Sequence, residues 1–191
     1  RAYELALKWF GSIPAGEQHA RNLPPEQEQK EERRLTAERD LPADALYKAW
    51  HMGPRSGPDF HTMDVITDLL AGGESGRLYN KLVRDLNLFS EINAFITSDL
   101  DPGLVIITGK IMKGIDIDKA EKAVDQVIQD LMETYPSDYE LDKVRNRYES
   151  SSVLSNTSIL NKALSLSFFE LLGDASAINF EVEAYRAVSK S

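Results

Sequence analysis

Cysteine is absent from the 191-residue sequence, and histidine is scarce, with three residues. The lack of cysteine excludes disulfides, thiolate metal sites and a cysteine nucleophile. No apolar run reaches the roughly 18 residues that a membrane-spanning helix needs. The motifs H-E-x-x-H, H-x-x-E-H, G-x-S-x-G, G-x-G-x-x-G and the P-loop are also missing, so the sequence carries no zincin, serine-hydrolase or nucleotide-binding signature.

Basic residues are outnumbered, with 22 lysines and arginines against 31 aspartates and glutamates and a formal net charge of −9. An acidic chain is poorly suited to the phosphate backbone of DNA or RNA, so no nucleic-acid partner is expected. Hydrophobic residues make up 42% of the chain and charged residues 28%. This balance is typical of a folded globular protein rather than a disordered one.

Three regions of different composition follow one another along the chain. Residues 1–10 carry an apolar helical face. The first residue is Arg1 rather than methionine and no signal segment follows it, so we expect these residues to be the terminal helix of a preceding domain in a longer protein. Residues 11–34 are rich in proline and mixed charge and are predicted to be a linker. Residues 35–191 have the apolar density of one folded domain.

The linker is expected to be the first place that a protease cuts. Residues 24–34 hold no large apolar side chain, so ordering them gains little against a backbone entropy of roughly 1–2 kcal/mol per residue. Limited proteolysis followed by mass spectrometry checks this expectation. A first cut elsewhere in the chain would mean that the linker is paired as a strand or clamped by a neighbour.

Hydrophobic periodicity predicts a layered α+β domain with a largely antiparallel sheet packed by helices. Strands are predicted at 44–52, 88–98 and 103–112, the last two as a hairpin around the turn at 101–103. Helices are predicted at 59–70, 75–86 and around 120–132, then at 137–155 behind a capping box of Ser137 and Glu140, at 160–171, and from about Ala184.

Few residues offer catalytic or metal-binding chemistry. His19 lies in the linker, His51 near the end of a strand, and His61 opens a helix with Asp64 three residues later. The His61–Asp64 pair could supply two metal ligands, but no third ligand is evident, and ordinary helix-terminal residues are the favoured interpretation. Residues 72–76, GGESG, could cradle a phosphate, although a helix corner with Ser75 as the N-cap fits better because the P-loop lysine is missing.

Three stretches resemble, in order, the insulinase-type zinc peptidases, the pitrilysin or M16 family, and a later helix fits as well. Residues 9–16, WFGSIPAG, are similar to the close of one family domain before its linker. Residues 57–73, GPDFHTMDVITDLLAGG, and 75–83, SGRLYNKLV, are similar to two successive helices of the next domain, and SDYELDKVRNRYESS at 137–151 fits a later one. Each motif is short, but the ordered set covers nearly the whole chain.

The resemblance implies the LuxS/M16 metallopeptidase-like fold. In this family two homologous halves enclose a chamber for unfolded peptides, and the half with H-x-x-E-H carries the zinc. Because this chain lacks that motif, the resemblance implies the inactive, C-terminal-type half, with no cofactor of its own. Its implied partners are a zinc-carrying half, in the same parent chain or in a separate subunit, and a peptide substrate.

Two arginines are candidate site residues. The family often has an arginine, followed seven residues later by a tyrosine, that reaches into the active site to hold substrate. Arg84 stands where that arginine is expected, but position 91 is Glu91, and a one-residue deletion would place Ser90 there. Arg84 is therefore either a substrate contact or a surface residue paired with a helix carboxylate. Arg77, in the RLY motif, is expected to anchor the helix corner through an ion pair.

Two functions follow from the resemblance, and a third interpretation stands outside it. The chain is either the chamber-completing half of a zinc peptidase or a scaffold that kept the fold for assembly. An unrelated α+β binding module would require every motif match to be coincidence. The resemblance also suggests a periplasmic or otherwise exported location, and the apolar face of residues 1–10 suggests self-association of the chain.

Overall fold

A computed structural model describes residues 1–17, 24, 28–97 and 100–190. The chain divides into two compact units, Arg1–Arg39 and Asp40–Ser191. The first unit contains helix α1, Ala2–Phe10, where the sequence predicts a helix, and none of its residues is buried. The start of the domain at residue 35 stays a prediction, and the second compact unit begins at Asp40. No helix in the described ranges is long and apolar enough to span a membrane.

The second unit contains its strands and helices in the predicted order. Its elements are β1 (Ala45–Met52), α2 (Phe60–Ala71), a π-helix (Tyr79–Asp85), β2 (Phe89–Ile96), β3 (Gly103–Ile111), α3 (Ile117–Glu133), α4 (Asp138–Ser155), α5 (Ile159–Leu171), a 3-10 helix (Ala175–Phe180) and α6 (Glu181–Ala187). The fold is α+β with an antiparallel sheet packed by helices, as the sequence predicts.

The sheet has three strands in the order β1-β3-β2, and both pairs are antiparallel. β1 pairs with β3 without interruption from Ala45 to Met52. The β2–β3 hairpin has a bulge at Ser90, between Phe89 and Glu91. The bulge shifts the alternation of β2 by one residue, so that Phe89 joins the buried face.

One face of the sheet packs against α2, the π-helix and α3 to form the main core. Its buried members are Leu46, Leu70, Leu78, Leu82, Leu88, Phe89, Ile92, Ile107, Ile111, Ala120, Val124 and Val127. Most positions of the predicted apolar stripe of α3 are buried or half-buried in this core, but Met132, in its last turn, is 73% exposed.

A second, smaller core lies between α2, α4 and α6. It contains Val65, Leu69, Leu141, Val144 and Tyr185. α4 enters it behind the predicted capping box, in which Ser137 and Glu140 satisfy each other's backbone N–H groups.

One local prediction was wrong in detail. The helix predicted at 75–86 widens to π-helical hydrogen bonding from Tyr79, and the Ser75 hydroxyl accepts a hydrogen bond from Lys143 Nζ at 3.0 Å instead of capping the helix. α5 forms where predicted, but none of its residues is buried. The apolar face of α5 is only partly covered within the described residues, since Phe168 is half-buried while Leu160, Leu164 and Leu171 are exposed.

Candidate functional site

Arg77 anchors the corner between α2 and the π-helix to α4. Its Nε and Nη2 atoms donate to the two carboxylate oxygens of Glu140, at 2.9 and 3.2 Å. Glu140 also accepts the backbone N–H of Ser137 at 2.9 Å. The hydrogen bond from Arg77, supported by those from Ser137, outweighs burial and lowers the pKa of Glu140 to about 2. The stabilisation from this carboxylate is present above its ordinary pKa of 4.5 and is lost as the pH falls through about 2.

Arg84 lies on the exposed side of the π-helix, where 65% of its side chain is accessible. Its Nε atom donates to Oδ1 of Asp85 at 3.1 Å. Glu91 is paired with Lys110 Nζ at 2.8 Å across the β2–β3 hairpin. A substrate contact by Arg84 remains a prediction.

The described histidines are spread over separate elements, and His19 lies outside the described residues. His51 lies near the end of β1. His61 and Asp64 both face α6, because His61 Nε2 lies 3.3 Å from Glu181 Oε2 and Asp64 accepts a hydrogen bond from α6. Within the described ranges, no group of three or more His, Cys, Asp or Glu residues could hold a metal ion. The residues that the structure describes therefore do not fit a zinc ion.

A polar cluster joins α6 to α2, α4 and the segment after β1, and we call it the α6 cluster. Its members are Arg55, His61, Asp64, Tyr148, Glu181 and Tyr185. Arg55 donates to Glu181, and their side chains are only 10% and 11% exposed. The Arg55 guanidinium also lies 3.9 Å from the ring centroid of Phe60, a cation–π contact. Of this cluster, only the local His61–Asp64 pair is evident in the sequence.

The charge states of the α6 cluster are fixed by burial and pairing. Burial and the negative charge of Glu181 raise the pKa of Tyr148. Burial and the negative charge of Asp64 raise the pKa of Tyr185, whose ring stacks on that of Tyr148 with centroids 3.5 Å apart. Burial also raises the pKa of Glu181, but its contacts with His61 and Arg55 lower it more, so the net shift is downward. Neutral phenols around a charged carboxylate are typical of a structural ion-pair network rather than of proton-transfer chemistry.

A cavity of about 270 Å³ opens beside this cluster, between α4, α5 and the 3-10 helix. It is lined by Tyr148, Ser151, Ser152, Ser155, Asn156, Ser165, Phe169, Ile178 and Glu181. Hydroxyl groups bond to many polar molecules without selecting one. The lining therefore does not identify a ligand class.

The face of the sheet opposite α2 and α3, which we call the open face, carries side chains from all three strands. The strand register aligns two rows across it, Ala49–Ile106–Phe95 and Tyr47–Thr108–Asn93. Tyr47 is 73% exposed and Phe95 45% exposed. The ion pair of Glu91 and Lys110 lies at one end.

The open face suits binding rather than catalysis. Exposed aromatic side chains on the two outer strands, with the half-buried Ile106 between them, form apolar surface of the kind that marks an interaction site. Their spacing along the strands matches that of alternate side chains in an extended peptide. The sequence held one signal for this face, since the alternation of β2 puts Phe95 on the polar side with Asn93 and Glu91. Only the strand order could place Tyr47 and Ile106 beside it.

Comparisons with known proteins agree with this architecture. The family described as "Peptidase M16 inactive domain" matches residues 1–148. The inactive peptidase domain of a proposed zinc protease from Bordetella parapertussis is 25% identical, with a TM-score of 0.70, over 76% of this chain and 79% of that one. No curated protein matches the chain.

Two more distant structures share the fold alone. A protease from Helicobacter pylori aligns with 98% of this chain and 46% of its own, at 16% identity and a TM-score of 0.86. The periplasmic protease PqqL from Escherichia coli aligns with 79% of this chain and 17% of its own, at 12% identity and a TM-score of 0.65. The likeness to the first includes nearly every element described above.

Proposed function

Because the chain belongs to the family of peptidase M16 inactive domains, we propose that it is the non-catalytic half of a zinc metallopeptidase. It would complete a peptide-binding chamber around a zinc-carrying half, located in the same parent chain or in a separate subunit. The observation that carries the proposal is the open face, where Tyr47 and Phe95 offer exposed aromatic surface to a peptide. Zinc is assigned to the partner half, because the described residues here do not fit it.

Arg84 is the proposed substrate contact, and Arg77 the proposed structural anchor. The ion pair of Arg84 with Asp85 is exposed, and such pairs contribute little, so a peptide carboxylate or carbonyl can replace Asp85 at small cost. Arg77 is held in two hydrogen bonds to Glu140, which a substrate would have to break. These arrangements support opposite roles for the two residues.

A non-enzymatic scaffold that retains the fold is the alternative function. Glu91 favours it, because the resemblance leads us to expect a tyrosine seven residues after Arg84 and the carboxylate found there is paired with Lys110. A tyrosine supplied by the partner half would restore the peptidase interpretation. A periplasmic or otherwise exported location is likewise a proposal, supported only by the fold shared with the periplasmic PqqL.

Reconstitution tests the peptidase proposal. The chain is mixed with the H-x-x-E-H polypeptide encoded in the same gene or beside it, and hydrolysis of a fluorogenic peptide is followed. We expect neither polypeptide alone to reach the rate of the mixture, the chain alone to be inactive, and a chelator to abolish the rate. A mixture that assembles without any hydrolysis would favour the scaffold.

Tyr47→Ser is expected to raise the KM of the reconstituted enzyme about three- to tenfold with little change in kcat, since one aromatic contact with bound peptide is lost. Tyr139→Ser is the matched control. Tyr139 is 79% exposed, against 73% for Tyr47, and lies in the first turn of α4, away from the sheet. Equal KM values for the two variants would contradict a role for the open face.

A further inference from the structure

α6 depends on its neighbours for its place in the fold. It has seven residues and no side-chain hydrogen bond at its N-terminus, so it is too short to be stable alone. It packs against α2, α4 and the 3-10 helix. Only Tyr185 of its residues is buried, and among the described residues the main core contains none from α6. α6 can therefore separate from α2 and α4 while the sheet and the main core stay folded.

His61, near the start of α2, contacts α6 at two points. Its Nε2 atom lies 3.3 Å from Oε2 of Glu181. Its ring also meets the ring of Tyr185 edge to face, with centroids 4.9 Å apart. One side chain of α2 thus bears on the first residue of α6 and on the buried residue one turn later.

The contact between His61 and Glu181 depends on the charge of the imidazole. Among the described residues, the buried Nε2 atom of His61 has no hydrogen-bond partner, so its approach to Glu181 lacks the geometry of a hydrogen bond. A neutral imidazole gains little from such a contact, whereas an imidazolium is attracted to the carboxylate by its charge. Protons can reach the ring, because 23% of the His61 side chain is exposed.

The charges around this contact give the sign of its response to pH. The ionisable groups that surround it come from the segment after β1, α2, α4 and α6, and they are Arg55, Asp64, Tyr148, Glu181 and Tyr185. The two phenols stay neutral, because burial raises the pKa of each. Two carboxylates and one guanidinium leave one net negative charge, which an imidazolium at position 61 neutralises.

We propose that α6 is a pH-sensitive latch whose sensor is His61. The protonated imidazole attracts Glu181 and keeps α6 closed on α2 and α4. Loss of the proton leaves the negative charge of the cluster in excess, and α6 opens more often. Opening uncovers apolar side chains of the second core, namely Val65, Leu69, Leu141 and Val144. This inference stands apart from the proposed function, because none of these residues lies on the open face.

Amide exchange of the full chain, measured by mass spectrometry, tests the latch. It is measured at about pH 5.5 and about pH 8, because histidine changes its charge between these values. Each rate is divided by the intrinsic rate at the same pH, so that only the opening of the structure is compared. We expect residues 182–188 to open about three- to tenfold more often at the higher pH, the effect of one charge contact. Opening within α3 should change less than about twofold, and an equal change there would overturn the proposal, since pH would then act on the whole fold.

Two histidine variants assign the response to one side chain. His61→Gln removes the titrating group from the latch, and His51→Gln removes one from β1. The pH response of α6 should disappear in His61→Gln, with opening near pH 5.5 as frequent as in the wild-type chain near pH 8. It should persist in His51→Gln. A response that survives His61→Gln, or one that is lost in His51→Gln, would overturn the role of His61.

A second pair of variants tests the contact without changing His61. Glu181→Gln removes the carboxylate that the imidazolium attracts, so the ratio of α6 opening between the two pH values should fall below about twofold. Arg186→Gln breaks the exposed ion pair of α6 with Glu149 and should leave that ratio unchanged. A full response in Glu181→Gln would show that His61 does not act through this carboxylate, and the latch as proposed would be wrong.

Discussion

Replacing Phe89 by alanine is expected to lower the free energy of unfolding by about 3–5 kcal/mol, the cost of removing a buried aromatic side chain and leaving a cavity. Phe89 is fully buried in the main core. Phe95→Ala, in the same strand but 45% exposed on the open face, is the matched control and should cost less than about 1 kcal/mol. Urea denaturation of both variants measures the difference.

Phe89 also explains why β3 contains Gly109. A Cβ atom at position 109 would lie 2.6 Å from Cδ1 of Phe89, closer than packed atoms approach. Gly109→Ala should therefore cost about 1–3 kcal/mol alone, but clearly less in the Phe89→Ala background, where the ring is gone. Costs that add without any coupling would contradict the contact. Gly53→Ala, where nothing lies within 4 Å, is the control for the loss of glycine itself.

Glu181→Gln is expected to destabilise the chain by about 3–5 kcal/mol, because it leaves the Arg55 guanidinium largely buried without its counter-charge. Glu183→Gln removes the same charge from an exposed position of α6 and should change stability by less than about 0.5 kcal/mol. Thermal and urea unfolding at neutral pH compare the two variants. Equal stabilities would mean that the Arg55–Glu181 pair contributes nothing net.

The loss caused by Glu181→Gln should also depend on pH. The pKa of Glu181 is lower in the folded chain than its ordinary 4.5. The stabilisation from its charge is therefore complete above that ordinary value and disappears as the pH falls through the folded pKa. The wild-type chain should approach the variant in stability at acidic pH, and a gap that stays constant down to the acid transition would contradict the assignment.

Local periodicity predicted most of the fold. The stripe of α3 and the alternation of β2 follow from burial of one face, and that burial is the main force that forms these elements. The capping box of Ser137 and Glu140 is likewise a three-residue pattern. The π-helical widening at Tyr79–Asp85 was missed, because helical periodicity alone does not report a one-residue change in hydrogen bonding.

The candidate sites depended on contacts that local patterns do not contain. Arg55 and Glu181 meet across 126 positions of sequence, and Tyr185 meets Asp64 across 121. In the sequence only the local end of this network is visible, His61 and Asp64, for which ordinary helix-terminal residues are favoured over a pair of metal ligands. Strand order assembled the open face from three separate strands in the same way. α5 shows the converse limit, since periodicity identified its apolar face but not whether anything covers it.

β1, an outer strand of the sheet, is also the strand that joins it across the longest stretch of chain. The β2–β3 hairpin brings Ile96 to Val105, whereas β1 reaches β3 only when Met52 meets Gly103. Before the intervening structure forms, loop-closure entropy makes the free-energy cost of the Met52–Gly103 contact about 1.5 kcal/mol higher than that of the Ile96–Val105 contact. Contacts local in sequence are made sooner than distant ones, so the hairpin precedes the attachment of β1 in folding time. During that delay β1 exposes both of its edges, and it is then the segment most open to pairing with the wrong chain.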